Sequence, residues 1–301
     1  MKSKYLKSLS DIFNLYRLPF SLVRKIIIRY IKKLFGINLS FEEEFMYKYF
    51  LTLISINGRC IKEDSFELIT KFPSGISIIS RKFPSSDLSV FYQVFKYKQY
   101  QPIIDLIRKY LSLKEDLVIF DIGGNIGCTG VFFKNEFPGS RIIILEPEIS
   151  NFKLLQKNLA LNKFGNVVAL RAGLWTSEAY LEIGKDFRDK KEWAYYVKEV
   201  FRPTDLKGIT ISRLMEEYKF KYIDLLKIDI EGTERFIFDN EKQASFFLTK
   251  TRFIAMEIHD EFGSREKIKK CIVNNGFKLF EYGELTIGYN NFLVKTDKNA
   301  Q

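Results

Sequence analysis

Val118-Ile-Phe-Asp-Ile-Gly-Gly-Asn-Ile-Gly127 decides how the rest of the chain is read. Val118, Ile119 and Phe120 form a short apolar run suited to a strand covered on both faces. Asp121 stands where that strand is expected to end. Gly123, Gly124 and Gly127 then permit a sharp turn and a close approach of backbone to a ligand, because no Cβ intervenes. Cys128 to Glu136 has helical spacing and stops at Phe137-Pro138-Gly139. A strand, a glycine turn and a helix in this order make a site for a nucleotide-type cofactor, with helix N–H groups facing the ligand.

The turn departs from the dinucleotide fingerprint G-x-G-x-x-G, whose second glycine lets the backbone touch a pyrophosphate. Here the pattern is D-x-G-x-N-x-G, with Asn125 in the middle slot. A side chain there suits a ligand without a pyrophosphate, and S-adenosylmethionine is such a ligand. Asp121 is then expected to serve its cationic end, directly or through water. A second apolar run, Arg141-Ile-Ile-Ile-Leu-Glu146-Pro147, ends in a carboxylate 25 positions after Asp121. That is close to the roughly 20-residue spacing at which an acid grips a ribose diol. Two rival classes stay open. An NAD-dependent oxidoreductase shares the first turn and the ribose acid, but is disfavoured by Asn125. A non-catalytic binding module could keep the cofactor fold without its chemistry.

The chain resembles the FkbM methyltransferases over roughly residues 85 to 295. The resemblance rests on Asp121-Ile-Gly-Gly-Asn-Ile-Gly127, Leu145-Glu-Pro147, Ala172-Gly-Leu-Trp175 and, most specifically, Leu226-Lys-Ile-Asp-Ile-Glu-Gly-Thr-Glu234. It implies an α/β fold: a Rossmann-like class I methyltransferase sheet with helices on both faces. It also implies S-adenosylmethionine as methyl donor and O-methylation of a small-molecule or glycan hydroxyl. Cofactor contacts are expected from Asp121, Gly123, Asn125, Gly127 and Glu146. In this fold the end of the third strand, here Asn166 to Ala172, faces the adenine, which brings in Ala172 and Gly173, with Trp175 as a weaker neighbour or a surface-loop anchor. The family also places the segment from Ser85 to Tyr100 over the cofactor mouth, so Asp87, Tyr92, Gln93 and Tyr100 are candidate pocket residues.

A second chemical centre lies at Tyr222 to Glu234. Leu225 to Ile228 read as a central strand, with Asp229, Glu231 and Glu234 crowding its carboxyl end, where ligands of open sheets sit. Three carboxylates this close repel unless a cation, a proton or a polar partner joins them. Lys227 is one candidate partner, and Glu231 a candidate substrate contact. Glu234 reads most simply as a first-turn residue favoured by the helix dipole. The next strand, Arg252 to Asp260, carries Glu257 and His259 two positions apart and so on one face. His259 is the only histidine. Transfer to a hydroxyl requires loss of its proton, and histidine suits that task near neutral pH. The catalytic reading is therefore His259 as base, oriented by Glu257 or Asp229. A rival makes Asp229, Glu257 and His259 ligands of a divalent metal, and a third leaves His259 structural.

Composition frames the rest. The net charge of +11 is concentrated at the N-terminus. Residues 1–36 hold nine Lys and Arg against the single acid Asp11, leaving +8 there and a nearly neutral remainder. Phe20, Val23, Ile27, Tyr30, Ile31 and Leu34 recur at helical spacing with Arg24, Lys25, Arg29, Lys32 and Lys33 between them, ending at Gly36. This basic amphipathic helix is expected either to pack on the chain or to touch an anionic membrane peripherally through residues 17–36. Nucleic acid is disfavoured, since no recognisable RNA-binding module accompanies the charge. Cys60, Cys128 and Cys271 have neither disulfide nor metal spacing, which suits the cytoplasm. The expected organisation is a basic leader at 1–38, an α+β entry region at 39–112 and the methyltransferase domain at 113–296.

Overall fold

The computed structural model describes residues 11–111, 116–184, 196–259 and 263–294. Lys185 to Glu192, whose run of charged residues reads as a solvated turn, the polar stretch 296–301 and the lysines at 2, 4 and 7 lie outside the described residues. The chain divides into two compact units, Met1–Tyr97 and Lys98–Gln301.

In the first unit, helix α1 (Phe20–Leu34) precedes helix α2 (Phe41–Ser55). The start of α2 is fixed by a capping box: Glu43 N–H donates to Ser40 Oγ, and Ser40 N–H donates to Glu43 Oε2. Strands β1 (Arg59–Glu63), β2 (Glu67–Lys71) and β3 (Ser77–Arg81) form an antiparallel sheet in that order. Pro73-Ser-Gly75, a turn signal in the sequence, joins β2 to β3, and Gly75 has the left-handed φ of +95° that its turn requires. Helix α3 (Asp87–Phe91) runs on into a π-helical turn at Tyr92–Lys96.

Helix α1 forms where its periodicity predicts, but the side it buries differs from a simple apolar stripe. Leu22, Ile26 and Arg29 are buried. Phe20, Ile27, Ile31 and Leu34 are exposed instead. Tertiary pairing explains the inversion. Arg29 donates to both Glu44 carboxylate oxygens at 2.9 and 3.1 Å and stacks its guanidinium 3.5 Å over the Tyr47 ring. Tyr30 meets the same Tyr47 edge to face. A cation buried this way by an acid and an aromatic face draws the opposite side of the helix inward.

The second unit begins with helix α4 (Gln101–Tyr110) and strand β4 (Val118–Ile122), followed by helix α5 (Cys128–Glu136), strand β5 (Arg141–Leu145), helix α6 (Ile149–Asn162) and strand β6 (Val167–Leu170). Every residue of β4 is buried, Asp121 among its apolar neighbours included. Strands β7 (Ala172–Leu174), β8 (Tyr180–Gly184), β9 (Tyr196–Val200) and β10 (Leu206–Ile209) form a separate four-stranded sheet in the order β7-β10-β8-β9. The third strand thus ends at Leu170 rather than running to Ala172. After Arg171 the chain changes sheets, and β7 pairs in parallel with β10. A Cβ on Gly173 would sit 2.7 Å from Leu181 Cδ1, so the glycine lets the small sheet close over its own core of Trp175, Leu181, Val197 and Leu206.

Helix α7 (Ile211–Glu217) leads to strand β11 (Ile223–Ile228), helices α8 (Glu234–Asp239) and α9 (Glu241–Leu248), strand β12 (Thr251–Glu257), helix α10 (Arg265–Asn274) and the hairpin of β13 (Phe277–Tyr282) and β14 (Leu285–Asn290). The main sheet runs β6-β5-β4-β11-β12-β14-β13. All neighbours are parallel except β14, which is antiparallel to both β12 and β13. This is the Rossmann-like class I arrangement. The chain leaves β4 toward β5 and β6, then returns to β11 on the other side of β4. The carboxyl ends of β4 and β11 therefore form the switch point at which ligands bind in such sheets.

Candidate active site

Strand β4 delivers the glycine turn. Gly123 and Gly124 both donate their N–H to Leu145 O, which ties the turn to the end of β5. Gly123 has φ +81°, and a Cβ there would lie 1.8 Å from the backbone oxygen of Asp229. The turn and the exit of β11 therefore touch backbone to backbone. Asn125 is also left-handed, at φ +48°, a conformation asparagine tolerates better than most residues. Its side-chain Oδ1 accepts from Ile126 N–H, and its own N–H donates to Glu146 Oε2 at 2.7 Å. Glu146 follows directly after β5 and takes a second backbone donor, Glu148 N–H, on Oε1 at 2.9 Å. Burial pushes its pKa up to about 7 although both N–H groups favour the carboxylate.

Asp121 lies within β4, fully buried, and does not stand open at its end. Thr129 Oγ1 donates to its Oδ2 at 2.7 Å, and Lys227 Nζ lies 3.2 Å from its Oδ1. Lys227 also donates to Gly123 O at 2.6 Å and approaches Asp229 Oδ2 at 3.9 Å. Burial opposes its charge, but Asp121 and Asp229 outweigh burial and raise its pKa. The expected direct service of Asp121 to a cationic ligand is thus replaced by an internal ion pair that braces the turn from beneath.

At the ends of β11 and β12 the acids gather around one ring. His259 is sealed from solvent. Its Nδ1 lies 2.8 Å from Glu234 Oε1, which also accepts Ile230 N–H at 3.1 Å. Its Nε2 lies 3.4 Å from Glu231 Oε2 and 3.7 Å from Glu257 Oε1, with no hydrogen-bond partner among the described residues. Glu231 reaches the ring from a left-handed backbone at φ +53°. Burial works against the imidazolium, but Glu234, Asp229 and Glu231 raise the His259 pKa to about 9. Burial, with Asp229 nearby, pushes Glu257 up to about 8. Tyr100 is buried at the head of α4, and its phenol is raised by burial and by the nearby charges of Asp229, Asp121 and Glu257.

The model of the methyltransferase FkbM domain matches residues 121–284, more than half of the chain. The chain belongs to the FkbM methyltransferase family. It is 24% identical over 196 residues to Methyltransferase 1 of Beauveria bassiana (strain ARSEF 2860), covering 58% of this chain and 78% of that one. It is 23% identical over 205 residues to the 31-O-demethyl-FK506 methyltransferase FkbM of Streptomyces tacrolimicus, covering 58% and 77%. Among solved structures it is similar to M. jannaschii TYW2 in complex with AdoMet, at 14% identity and a TM-score of 0.38 over 76% of this chain and 85% of that one.

As an FkbM methyltransferase the protein uses S-adenosylmethionine, which sets aside the NAD reading. The turn's residues fit that donor. Gly123 and Gly124 leave the backbone bare where any Cβ would collide, with Asp229 O in one case and with Ile144 Cγ2 at 2.2 Å in the other. Glu146 keeps lone pairs beyond the two that hold backbone N–H groups, as a ribose diol needs. The acids at 229, 231 and 257 suit a cationic end.

Other expected residues stand elsewhere. Gly173 packs beneath Leu181 and Val197, and Ala172 belongs to the main core. Trp175 is an anchor inside the small sheet's core, not on a surface loop; its Nε1 donates to Glu199 and its ring packs on Phe236. Asp87 is buried and held by the Arg81 backbone and guanidinium, so it is a brace and not a pocket acid. Tyr92 and Gln93 lie on the π-helical turn of the first unit, the tyrosine buried and the glutamine half-buried. The three groups whose ligand atoms converge within 4.8 Å are Asp229, Glu231 and His259, with Glu231 in the place expected of Glu257. Glu234 is the residue of this cluster that the sequence pattern assigns to a helix end alone. Its first-turn position is real, but its carboxylate turns inward to the histidine. The signal available was its proximity to Asp229 and Glu231 in a stretch specific to the family.

Proposed function

We propose that this FkbM methyltransferase O-methylates a hydroxyl of a small molecule or glycan, with His259 as general base. The observation that carries the reading is the Glu234–His259 contact. A carboxylate on Nδ1 selects the tautomer that donates from Nδ1 and leaves Nε2 to accept a proton. S-adenosylmethionine supplies a methyl carbon that the acceptor oxygen attacks as the C–S bond breaks. Glu146 and the glycine turn would hold the ribose, and Asp229, beside the turn, would face the cationic end. Positioning of the acceptor oxygen is worth roughly 7–11 kcal/mol in such transfers. We assign acceptor contacts to Tyr100 and Glu231. The acids at 229, 231 and 257 disfavour a phosphate or carboxylate acceptor and support a neutral hydroxyl.

In the ligand-free protein the raised pKa keeps His259 protonated near neutral pH. A cation beside Asp229 competes for the field that holds this proton and lowers the pKa again. Proton acceptance is thereby tied to a filled donor site. A second reading rests on the convergence of Asp229, Glu231 and His259: a divalent cation there would lower the acceptor's own pKa, with Glu234 orienting the ligand ring.

The test is methyl transfer from tritiated S-adenosylmethionine into an extract of the native cell, followed by identification of the labelled atom. An O-methyl product whose formation survives chelation and fails in His259→Ala supports the base reading. Loss on chelation with recovery on adding a divalent ion favours the metal. Label on nitrogen, carbon or sulfur overturns the hydroxyl assignment.

A further inference from the structure

The outward face of α1 is the largest feature that the chemistry at the strand ends leaves unused. Eleven of the 25 exposed large apolar side chains among the described residues fall between Ile12 and Phe41. Phe13, Phe20, Leu34 and Phe35 are each more than three-quarters exposed. On the helix itself, Phe20, Ile27, Ile31 and Leu34 recur at i, i+7, i+11 and i+14, which places them on one side, opposite buried Leu22, Ile26 and Arg29. Scattered apolar residues on a surface need no explanation, but a continuous helical band of them does.

The charges around the band are sorted. Lys25 pairs with Glu63 at 3.1 Å, Arg29 with Glu44 at 2.9 Å and Lys32 with Glu43 at 2.6 Å. Arg24 lies one turn from both Phe20 and Ile28, inside the apolar band, and is exposed. Lys33 is exposed near the C-terminal end of the helix. Neither pairs with an acid among the described residues. The sequence adds Lys2, Lys4 and Lys7 ahead of the band. No described helix is long and apolar enough to cross a membrane, so the band is of the kind that lies in an interface, not one that spans it.

We infer that α1, with Phe13 ahead of it, docks this protein on an anionic lipid bilayer, its Phe20–Ile27–Ile31–Leu34 side entering the acyl boundary. Charge complementarity selects this occupant. An apolar partner protein would leave the Arg24 guanidinium buried without a counter-ion, whereas at a bilayer its stem lies along apolar surface and its head reaches lipid phosphate. Each further basic residue near the surface strengthens the attraction, which salt then weakens.

The experiment is co-sedimentation of the full chain with vesicles of phosphatidylcholine alone and with about 30% phosphatidylserine added, a composition that gives a negative surface potential. The expected result is partition onto the anionic vesicles at least tenfold stronger than onto neutral ones. It should fall at least tenfold in the double variant Ile27→Asp, Ile31→Asp and in the single variant Arg24→Glu. Trp in place of Phe20 should be quenched by brominated lipid. Circular dichroism checks that each variant is folded, and Arg24→Glu keeps the test decisive if the double variant is not. Failure of the wild type to sediment, or sedimentation that both variants retain, overturns the inference. So does a dimer in solution that Ile31→Asp converts to monomer, because a second copy would then cover this face.

Discussion

Glu234 Oε1 stands 2.8 Å from His259 Nδ1, 25 residues apart in sequence and both sealed from water. The contact joins the first turn of α8 to the end of β12, so the two central strands of the sheet share one ionisable unit. Replacing the carboxylate with an amide keeps the volume but removes the charge that holds the proton on the ring. Glu234→Gln is therefore expected to lower the His259 pKa from about 9 toward or below its ordinary value, read by NMR titration of this single histidine. Turnover should fall roughly 10–100-fold, the range for losing the partner that orients such a ring. Donor affinity, read by calorimetry, should not fall and should rise if anything, because a neutral ring no longer opposes the donor's positive charge. His259→Ala should cost about 10²–10⁴ in turnover, again without loss of donor affinity.

Donor binding is expected to depend on pH through Glu146. Burial raises its folded pKa from the ordinary 4.5 to about 7, which brings its titration into the neutral range. On the proposed assignment the ionised form would accept both ribose hydroxyls, each such bond being worth roughly 1.5–3 kcal/mol. Affinity for S-adenosylmethionine should therefore rise as pH passes upward through about 7. Glu146→Gln should remove that step and weaken binding about tenfold or more from loss of one charged bond. Calorimetry from pH 6 to 8 checks both; a flat wild-type profile is the adverse result.

The glycine turn, Glu146, Asp229 and His259 were legible because local pattern determines them. An apolar run followed by glycines makes a strand and a turn whatever surrounds it, and strand ends in an open sheet meet at the switch point. What could not be read depends on partners distant in sequence. The inward turn of Glu234 is set by a histidine 25 residues later. Burial of Arg29 is set by Glu44 and Tyr47 on the next helix, which reverses the side that α1 presents outward. The change of sheets after Leu170 is set by β10, more than 30 residues on. Asp121 was correctly placed near the turn, but its counter-ion Lys227 comes from the neighbouring strand, one register step across the sheet.

Gly123 is the position least able to accept a side chain. A Cβ would lie 1.8 Å from Asp229 O, a backbone atom whose residue is tied to Ile122 O by its own N–H at the end of the β4–β11 pairing. The residue's φ of +81° adds strain of order 1–3 kcal/mol for a non-glycine residue. Gly123→Ala should therefore destabilise the protein by more than this strain alone and abolish donor binding. Gly283→Ala is the matched control, since it too has positive φ but no atom within 4 Å of an added Cβ. Denaturant unfolding of the two variants should show the larger loss at Gly123; equal losses would mean that the approach to Asp229 relaxes freely.

Stability of the ligand-free protein should fall on the alkaline side, and the sign follows from two groups. His259 and Glu257 both bind their protons more tightly in the folded state, with values near 9 and 8 against ordinary values of 6.5 and 4.5. Their contribution is complete below the unfolded values and is lost as pH climbs through the folded ones. Above about pH 9 buried Glu234 and the partly buried Glu231, Glu257 and Asp229 lie around an uncharged ring, with Lys227 Nζ 3.9 Å from Asp229. The melting temperature should therefore decline from pH 6.5 to beyond pH 9, and S-adenosylmethionine should flatten the decline by placing positive charge beside the acids. Glu257→Gln should remove the part of the fall near pH 8. Melting curves at several pH values, with and without the donor, check the sign; a melting temperature that rises over this range would show that the histidine is neutral in the folded protein.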